Sequence, residues 1–174
     1  MLSNFTGFAA NYLIFVDLLA AAVVIAYAAY RRPRRFAFRW AVAACAILLL
    51  SYVFAQLGAA AYNDPRPFVV EHTQPLVPHA VDNGFPSDHA LLAGALFALV
   101  ALIDIPLSLP FALLALIIDL SRVDAGVHHP IDVVGSSIFV ALASVVALLI
   151  RPVLVRWLVP RLPRWITGEP NPTT

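Results

Sequence analysis

The chain contains no lysine, one cysteine and few charges of either sign, and each shortage removes a class of protein. The single cysteine, Cys45, sits inside an apolar run, so there is no disulfide framework and no thiolate metal cluster; it reads as a buried apolar residue. Charged residues make up only 12% of the 174, hydrophobic residues 61%, and the mean hydropathy is +0.86, which excludes an ordinary soluble domain. All eleven basic residues are arginine, and the formal net charge is +1. Nine of them form two clusters at 31–39 and 151–164, so no basic face is spread out for nucleic acid.

What is present is apolar sequence in long blocks. They cover residues 8–30, 40–61, 87–103, 105–120 and 130–150, and about 20 helical residues cross a hydrocarbon core of about 30 Å. The expected fold is all-α, a polytopic membrane helix bundle with about five transmembrane helices. One transmembrane domain is expected over residues 1–167, followed by a proline-rich, polar tail at 168–174, disordered and cytoplasmic. The first block is too long and too poorly flanked for a cleaved signal peptide. The third and fourth blocks are short and the fourth contains Pro106 and Pro110, which leaves open one broken re-entrant hairpin in their place.

The arginine clusters orient the bundle. Arg31, Arg32, Arg34, Arg35 and Arg39 lie between the first two blocks and Arg151, Arg156, Arg161 and Arg164 follow the fifth, so an excess of arginine on the cytoplasmic side puts both clusters there. The N-terminus, the loop at 62–86 and the turn at 121–129 then share the other face, where the remaining arginines, Arg66 and Arg122, stand alone. Small residues at Ala90, Gly94 and Ala98, and at Gly135, Ser137, Ala141 and Ser144, mark faces for close helix packing. Asp17 falls mid-span, where a charge is costly, and should face the bundle interior, hydrogen-bonded or protonated.

That non-cytoplasmic face collects the groups able to do chemistry. Pro86, Ser87, Asp88 and His89 read as a helix start capped by Ser87 or Asp88, and a helix N-terminus suits an anion. In SRVDAGVHHPID, residues 121–132, Pro130 can open the last helix and Asp132 lies four residues after His128. A carboxylate at that distance can hold one imidazole nitrogen and leave the other free to attack, which makes His128 the candidate nucleophile and Asp132 its orienting base. His89, on another helix of the same face, could protonate a leaving group. Arg66 and Arg122 supply the forked donors that phosphate oxygens need, and phosphoryl transfer depends mainly on positioning and charge. A metal site built from His89, His128, His129, Asp88 and Asp132 is the weaker reading, since neither HxxxH nor HExxH occurs. His129 and Asp124 read as neighbours of the site without a role in it.

These residues resemble the type 2 phosphatidic acid phosphatase superfamily, with its signature KxxxxxxRP, PSGH and SRxxxxxHxxxD. Here the three parts read Arg66-Pro67, PSDH at residues 86–89, and Ser121-Arg122 through His128 to Asp132. The resemblance implies metal-independent hydrolysis without a cofactor, through a phosphohistidine on His128 oriented by Asp132, with His89 as acid. It also implies phosphate binding by Arg66, Ser87, Asp88, Ser121 and Arg122. Two positions depart from the signature: Ala59 stands where it has lysine and Asp88 where it has glycine. The string DPRPFVVEHTQPLVPHAVDNGFPSDH, residues 64–89, is similar to the bacitracin-resistance type of undecaprenyl diphosphate phosphatase. That subgroup has PSDH and dispenses with the lysine.

The resemblance implies an isoprenoid lipid diphosphate substrate, surrounding membrane lipids, and residence in a bacterial plasma membrane with the site on the non-cytoplasmic face. Glu71 and His79, in the long loop, are possible further contacts to the diphosphate, and His72 is weighed with them. The alternatives are the same chemistry on phosphatidylglycerophosphate, phosphatidate or a lipid A precursor, and a non-enzymatic protein that binds lipid headgroups. The short third and fourth helices suggest that a lipid reaches the site sideways from the bilayer. An interfacial segment within residues 1–6 would complete the N-terminus.

Overall fold

In the computed structural model, residues 2–168 are described, and their regular structure is helical. Five long or medium helices build the bundle: α1 (Leu2–Arg31), α2 (Arg34–Ala61), α4 (Asp88–Ala101), α5 (Ile105–Asp124) and α6 (Pro130–Leu158). Two short helices, α3 (Pro67–Val70) and α7 (Arg164–Thr167), flank them, and a 3-10 turn at Val159–Arg161 follows α6. Each break has a local cause. Pro33 separates α1 from α2, Ser87 caps α4 by accepting a hydrogen bond from the Ala90 N–H, Asp104 caps α5 through the Leu107 N–H, and Pro130 opens α6.

The all-α membrane bundle matches the expectation, with element ends that differ. Four helices, Ser3–Arg31, Arg34–Ala61, Ile105–Asp124 and Pro130–Arg161, are long and apolar enough to cross a bilayer. The third bundle helix, α4, has 14 residues, about 21 Å, shorter than a hydrocarbon core of about 30 Å. It is enclosed by α5, α6, α1 and α2, so its neighbours complete the layer around it. Residues 3–6 continue α1 as helix rather than forming a separate interfacial segment. The α4–α5 pair is a full helical hairpin, not a re-entrant one: at its turn the Leu99 carbonyl accepts from Trp40 Nε1 at 3.1 Å, and Leu102 lies beside Arg39 and Arg151 at the arginine-rich end. Cys45 is exposed on the outer face of α2 rather than buried, as lipid-facing positions of such a helix tolerate any apolar group.

Successive bundle helices run in alternating directions, so the arginine clusters gather at one end while the loop at 62–86 and the α5–α6 turn meet at the other. At the arginine end α7 packs on the start of α2, where Gly168, with φ +70, closes α7 against Arg34 and Arg35. The other residues of the expected tail, 169–174, lie outside the described residues. At the far end, Gly135 leaves the space that the Phe85 ring fills, and Gly58 makes room for Phe139. Phe85 stacks edge-on against Tyr62 and Phe139, with centroids 5.2 and 5.8 Å away, which pins the loop across α2 and α6. Asp17 is fully buried on α1, as expected, and neither of its carboxylate oxygens has a hydrogen-bond partner.

Candidate active site

The α5–α6 turn carries His128 two residues ahead of the start of α6 and leaves it buried, 2% exposed. Its Nδ1–H donates to Asp132 Oδ2 at 3.1 Å, across the four-residue spacing that the first turn of α6 supplies. The same Oδ2 accepts the His129 backbone N–H at 2.9 Å, so Asp132, wholly buried, is locked at the helix start. On the other side of the ring, His128 Nε2 lies 3.2 Å from Arg66 Nη1. A guanidinium only donates, so Nε2 is the acceptor and carries the lone pair. These two contacts fix the tautomer, with the proton on Nδ1 and the lone pair on Nε2.

Arg66 is held as a fork. Its Nε donates to Asp82 Oδ1 at 2.6 Å, Nη1 to the Val127 carbonyl at 2.9 Å, and Nη2 to the Asn83 carbonyl at 3.5 Å. Arg122, 1% exposed, donates Nη1 to the Ala10 carbonyl at 2.9 Å, while its Nε and Nη2 are buried without a partner. Those two donors lie on one edge of the guanidinium, the edge that grips a phosphate through two parallel hydrogen bonds. Unsatisfied buried donors are costly, and an incoming oxyanion is the group that would satisfy them. His89, half-buried on the first turn of α4, lies within the electrostatic reach of Arg122, His128 and His79. His79 stacks edge-on against His128, with ring centroids 5.9 Å apart.

Burial is the main cause that holds the His128 imidazole below the ordinary histidine range; Arg122 and Arg66 push the same way, against the hydrogen bond and charge of Asp132. His79 is lowered as well, first by burial and then by Arg66, Arg122 and His128. Both rings are therefore neutral at neutral pH, the form in which Nε2 can attack.

The structure thus brings His128, Asp132, Arg66, Arg122, His89 and His79 together, with Ser87 buried at the α4 start and Asp88 exposed beside it. Ser87 is tied to α6, since Ser136 Oγ donates to both the Ser87 and the Asp132 carbonyls, at 2.9 and 2.8 Å. Ser121 is buried, and its hydroxyl donates to the Ile118 carbonyl of its own helix at 2.7 Å. Glu71 is exposed at the end of α3 and takes no part in the polar contacts of the cluster among the described residues.

Several participants escaped sequence reasoning. His129 does not turn away: its Nδ1 lies 2.9 Å from Asp64 Oδ2, and Asp64 stands beside Asp132. Asn83 accepts the Asp64 and Phe85 N–H groups on Oδ1, folding the loop back over the site. Asp124 accepts from Thr6 Oγ1 at 2.7 Å and so ties α1 to the end of α5. The signal for Asp64 was its place two residues before Arg66, but nothing in spacing links it to His129, 65 residues later. Asp64, His129 and Asp132 also bring ligand-type atoms within 4.8 Å of one another, the one such trio among the described residues. Asp64 Oδ2 meets His129 Nδ1, and Asp132 Oδ2 accepts from His128 Nδ1 and the His129 backbone N–H while its Oδ1 has no partner, so the trio differs from the set suggested by spacing.

The pattern of the PAP2 superfamily matches residues 40–156, from the start of α2 almost to the end of α6. The chain belongs to the PAP2 superfamily. Similar proteins include the "Undecaprenyl-diphosphatase BcrC" of Bacillus subtilis (strain 168), 40% identical over 77 residues, which are 43% of this chain and 39% of that protein. The "Bacitracin transport permease protein BcrC" of Bacillus licheniformis is 25% identical over 163 residues, 93% of this chain and 74% of that one. The match therefore spans about two fifths of the first relative's length and about three quarters of the second's. The crystal structure of Aquifex aeolicus LpxE shares the fold with a TM-score of 0.63 at 19% identity, covering 84% of this chain and 85% of that one. Within this PAP2 chain, the third signature part coincides with the His128–Asp132 hydrogen bond and the doubly unpaired Arg122. The family match and the four long apolar helices together give a multi-pass membrane protein of this superfamily.

Proposed function

We propose that this PAP2 phosphatase hydrolyses undecaprenyl diphosphate to undecaprenyl phosphate and inorganic phosphate, recycling a cell-wall lipid carrier at the non-cytoplasmic face of a bacterial plasma membrane. The observation that carries the mechanism is the oriented ring of His128, with Nδ1–H on Asp132 and the Nε2 lone pair facing the arginines. The substrate assignment rests on PSDH, on the string at 64–89 and on the two relatives named BcrC.

The terminal phosphate takes the two free donors of Arg122 and draws Arg66 Nη1 away from Nε2. The lone pair of His128 Nε2 then attacks the terminal phosphorus. Burial, with Arg122, His128 and His79, lowers the His89 pKa to about 4, so His89 takes up its proton as the anionic diphosphate binds. The new N–P bond forms as the bridging P–O bond breaks, and His89 gives that proton to the departing lipid monophosphate. Asp132 stabilises the positive charge that the imidazole acquires. In the second half, water gives a proton to His89 and its oxygen attacks the phosphohistidine. The N–P bond breaks, inorganic phosphate leaves, and His128 returns to its neutral tautomer. The Ser87 hydroxyl and the first N–H groups of α4 add donors for the oxyanion, the Ser87 N–H itself being held by the Asp132 carbonyl, and Asp88 is exposed beside them. The arginine clusters at the opposite end support a cytoplasmic C-terminus and a non-cytoplasmic site.

The test is phosphate release from undecaprenyl diphosphate by purified protein in detergent with EDTA, wild type against His128→Ala. Release that survives EDTA and is lost in the variant supports the assignment. Activity confined to phosphatidylglycerophosphate or phosphatidate keeps the chemistry and overturns the substrate; silence on every lipid phosphate leaves a headgroup-binding protein.

A further inference from the structure

The small residues that mark close packing on α4 and α6 do not all pack. α5 and α6 each lie along α4 and leave a gap between them, filled by two cavities of about 600 and 780 Å³. Both cavities are lined by Leu116, Asp119, Ser137 and Ala141, so they form one continuous groove. Its floor includes Gly94 and Ala98 of α4. It opens to the bilayer, since Leu116, Leu120, Val134 and Ile138 on its rims are 53%, 61%, 54% and 51% exposed.

The groove ends in two places. At the site end it reaches Val123, Asp124 and Pro130, which flank the turn carrying His128. At the other end it reaches Leu102, Ile105 and Leu148, near the arginine clusters. It therefore runs from the catalytic turn through most of the apolar layer.

Building on the isoprenoid-diphosphate reading, we propose that this α4–α5–α6 groove binds the hydrocarbon chain of the substrate while its diphosphate sits on Arg122 and His128. The continuity with the catalytic turn argues for substrate over an unrelated bilayer lipid. The lining argues for an isoprenoid: a chain bearing a methyl branch on every unit needs more room than a straight acyl chain, and Gly94, Ala98, Ser137 and Ala141 leave it. Ser137, Ala141 and Ser144 lie 7, 11 and 14 positions beyond Pro130, hence at depths of about 10, 16 and 21 Å along one face of α6. The groove is a ruler for chain length.

The experiment measures phosphate release from a series of isoprenyl diphosphates, from water-soluble short chains to the 55-carbon lipid, by wild type and by Ser137→Trp, Ala141→Trp and Ser144→Trp. Ser137 and Ala141 are exposed, so an indole there narrows the groove without displacing core side chains. Each variant is expected to raise the ratio of long-chain to short-chain KM at least tenfold, and the chain length at which the rise begins should increase in the order Ser137, Ala141, Ser144. Asp119→Leu makes the wall uniformly apolar, removing a carboxyl whose Oδ1 has no partner, and should lower the long-chain KM. Ratios within twofold of wild type in all three tryptophan variants, or a rise without dependence on depth, overturn the groove while leaving the enzyme assignment intact. A rise in KM for Asp119→Leu overturns the hydrocarbon occupant in favour of a lipid with polar linkages at that depth. Loss of a wild-type dimer in the tryptophan variants would assign the groove to a second copy and also overturn it. Wild type inactive on every isoprenyl diphosphate defeats the underlying substrate reading instead.

Discussion

Replacing Asp132 by asparagine separates charge from geometry in this site. Asp132 Oδ2 accepts two hydrogen bonds, from His128 Nδ1 at 3.1 Å and the His129 N–H at 2.9 Å, while Oδ1 has no partner. An asparagine can set its carbonyl oxygen in the Oδ2 position and its amide in the Oδ1 position, keeping both bonds and the His128 tautomer. What disappears is the negative charge beside an imidazole that becomes cationic as Nε2 attacks. A hydrogen bond to a charged group contributes about 1.5 to 3 kcal/mol. At about 1.4 kcal/mol per tenfold, Asp132→Asn should lower kcat about 10- to 150-fold. Asp132→Ala, which also frees the ring and strands two N–H groups, should lower it about 1,000- to 10,000-fold. The pH profile gives a second readout. Asp132 raises the His128 pKa against burial and the two arginines, so without it the imidazole protonates only at still lower pH, and the acid limb of kcat/KM moves to lower pH as the rate falls. The assay is phosphate release across pH 4 to 8 with a size-exclusion control for folding. An asparagine variant with wild-type kcat, or an acid limb displaced to higher pH, would refute the reasoning.

In the wild type, the acid limb governed by His128 should fall below about pH 6.5, the ordinary histidine value, because its pKa is lowered; a limb above that value in a kcat/KM titration would contradict the burial argument. Arg66→Lys keeps the charge and loses the fork to Asp82, Val127 and Asn83, so kcat/KM should drop about 100-fold, whereas a loss below about threefold would show that charge alone suffices. Gly84→Ala puts a Cβ 3.0 Å from both Asp132 Oδ2 and the Asp64 carbonyl, and should cost about 1 to 3 kcal/mol in detergent unfolding together with activity, since Asp132 must shift. Asp17→Leu removes a fully buried carboxyl without partners and should raise the melting temperature while activity persists; a fall in melting temperature would mean that Asp17 supports the bundle through a partner.

The bundle was legible because the bilayer leaves few choices: apolar blocks of the right length, broken by proline and polar caps, become helices whose backbone groups satisfy one another. The arginine clusters gave the sense of each block, and the alternating helices put 31–39 and 151–164 at one end, as charge asymmetry required. Lengths were less legible. Arg34, Arg35 and Arg39 belong to α2, and Arg151 and Arg156 to α6, because arginine is a good helix former whose long side chain can reach the interface from within a helix. Hydropathy windows end where charge begins, so they truncate such helices. The gap between α5 and α6 was invisible for a related reason: small residues permit close approach but do not enforce it, and only the docking of both helices on α4 shows which small faces are filled.

Within the site, what is local was readable and what is distant was not. His128 and Asp132 are four residues apart, and a helix start at Pro130 brings them into contact by geometry alone. Asp64 and His129 meet only after the loop at 62–86 has folded over the bundle end, held by the Asn83 side chain on Asp64 and Phe85 and by the Phe85 ring against Gly135. Arg66 joins the two kinds of information. Its dipeptide with Pro67 raises the expectation of a phosphate ligand, but only the fold shows that one of its donors rests on the His128 ring, the proposed nucleophile. On the proposed mechanism the resting site is self-masked: the Nε2 lone pair is engaged until an oxyanion competes for the guanidinium, so the ligand that Arg66 would bind is also the one that would release His128 to attack.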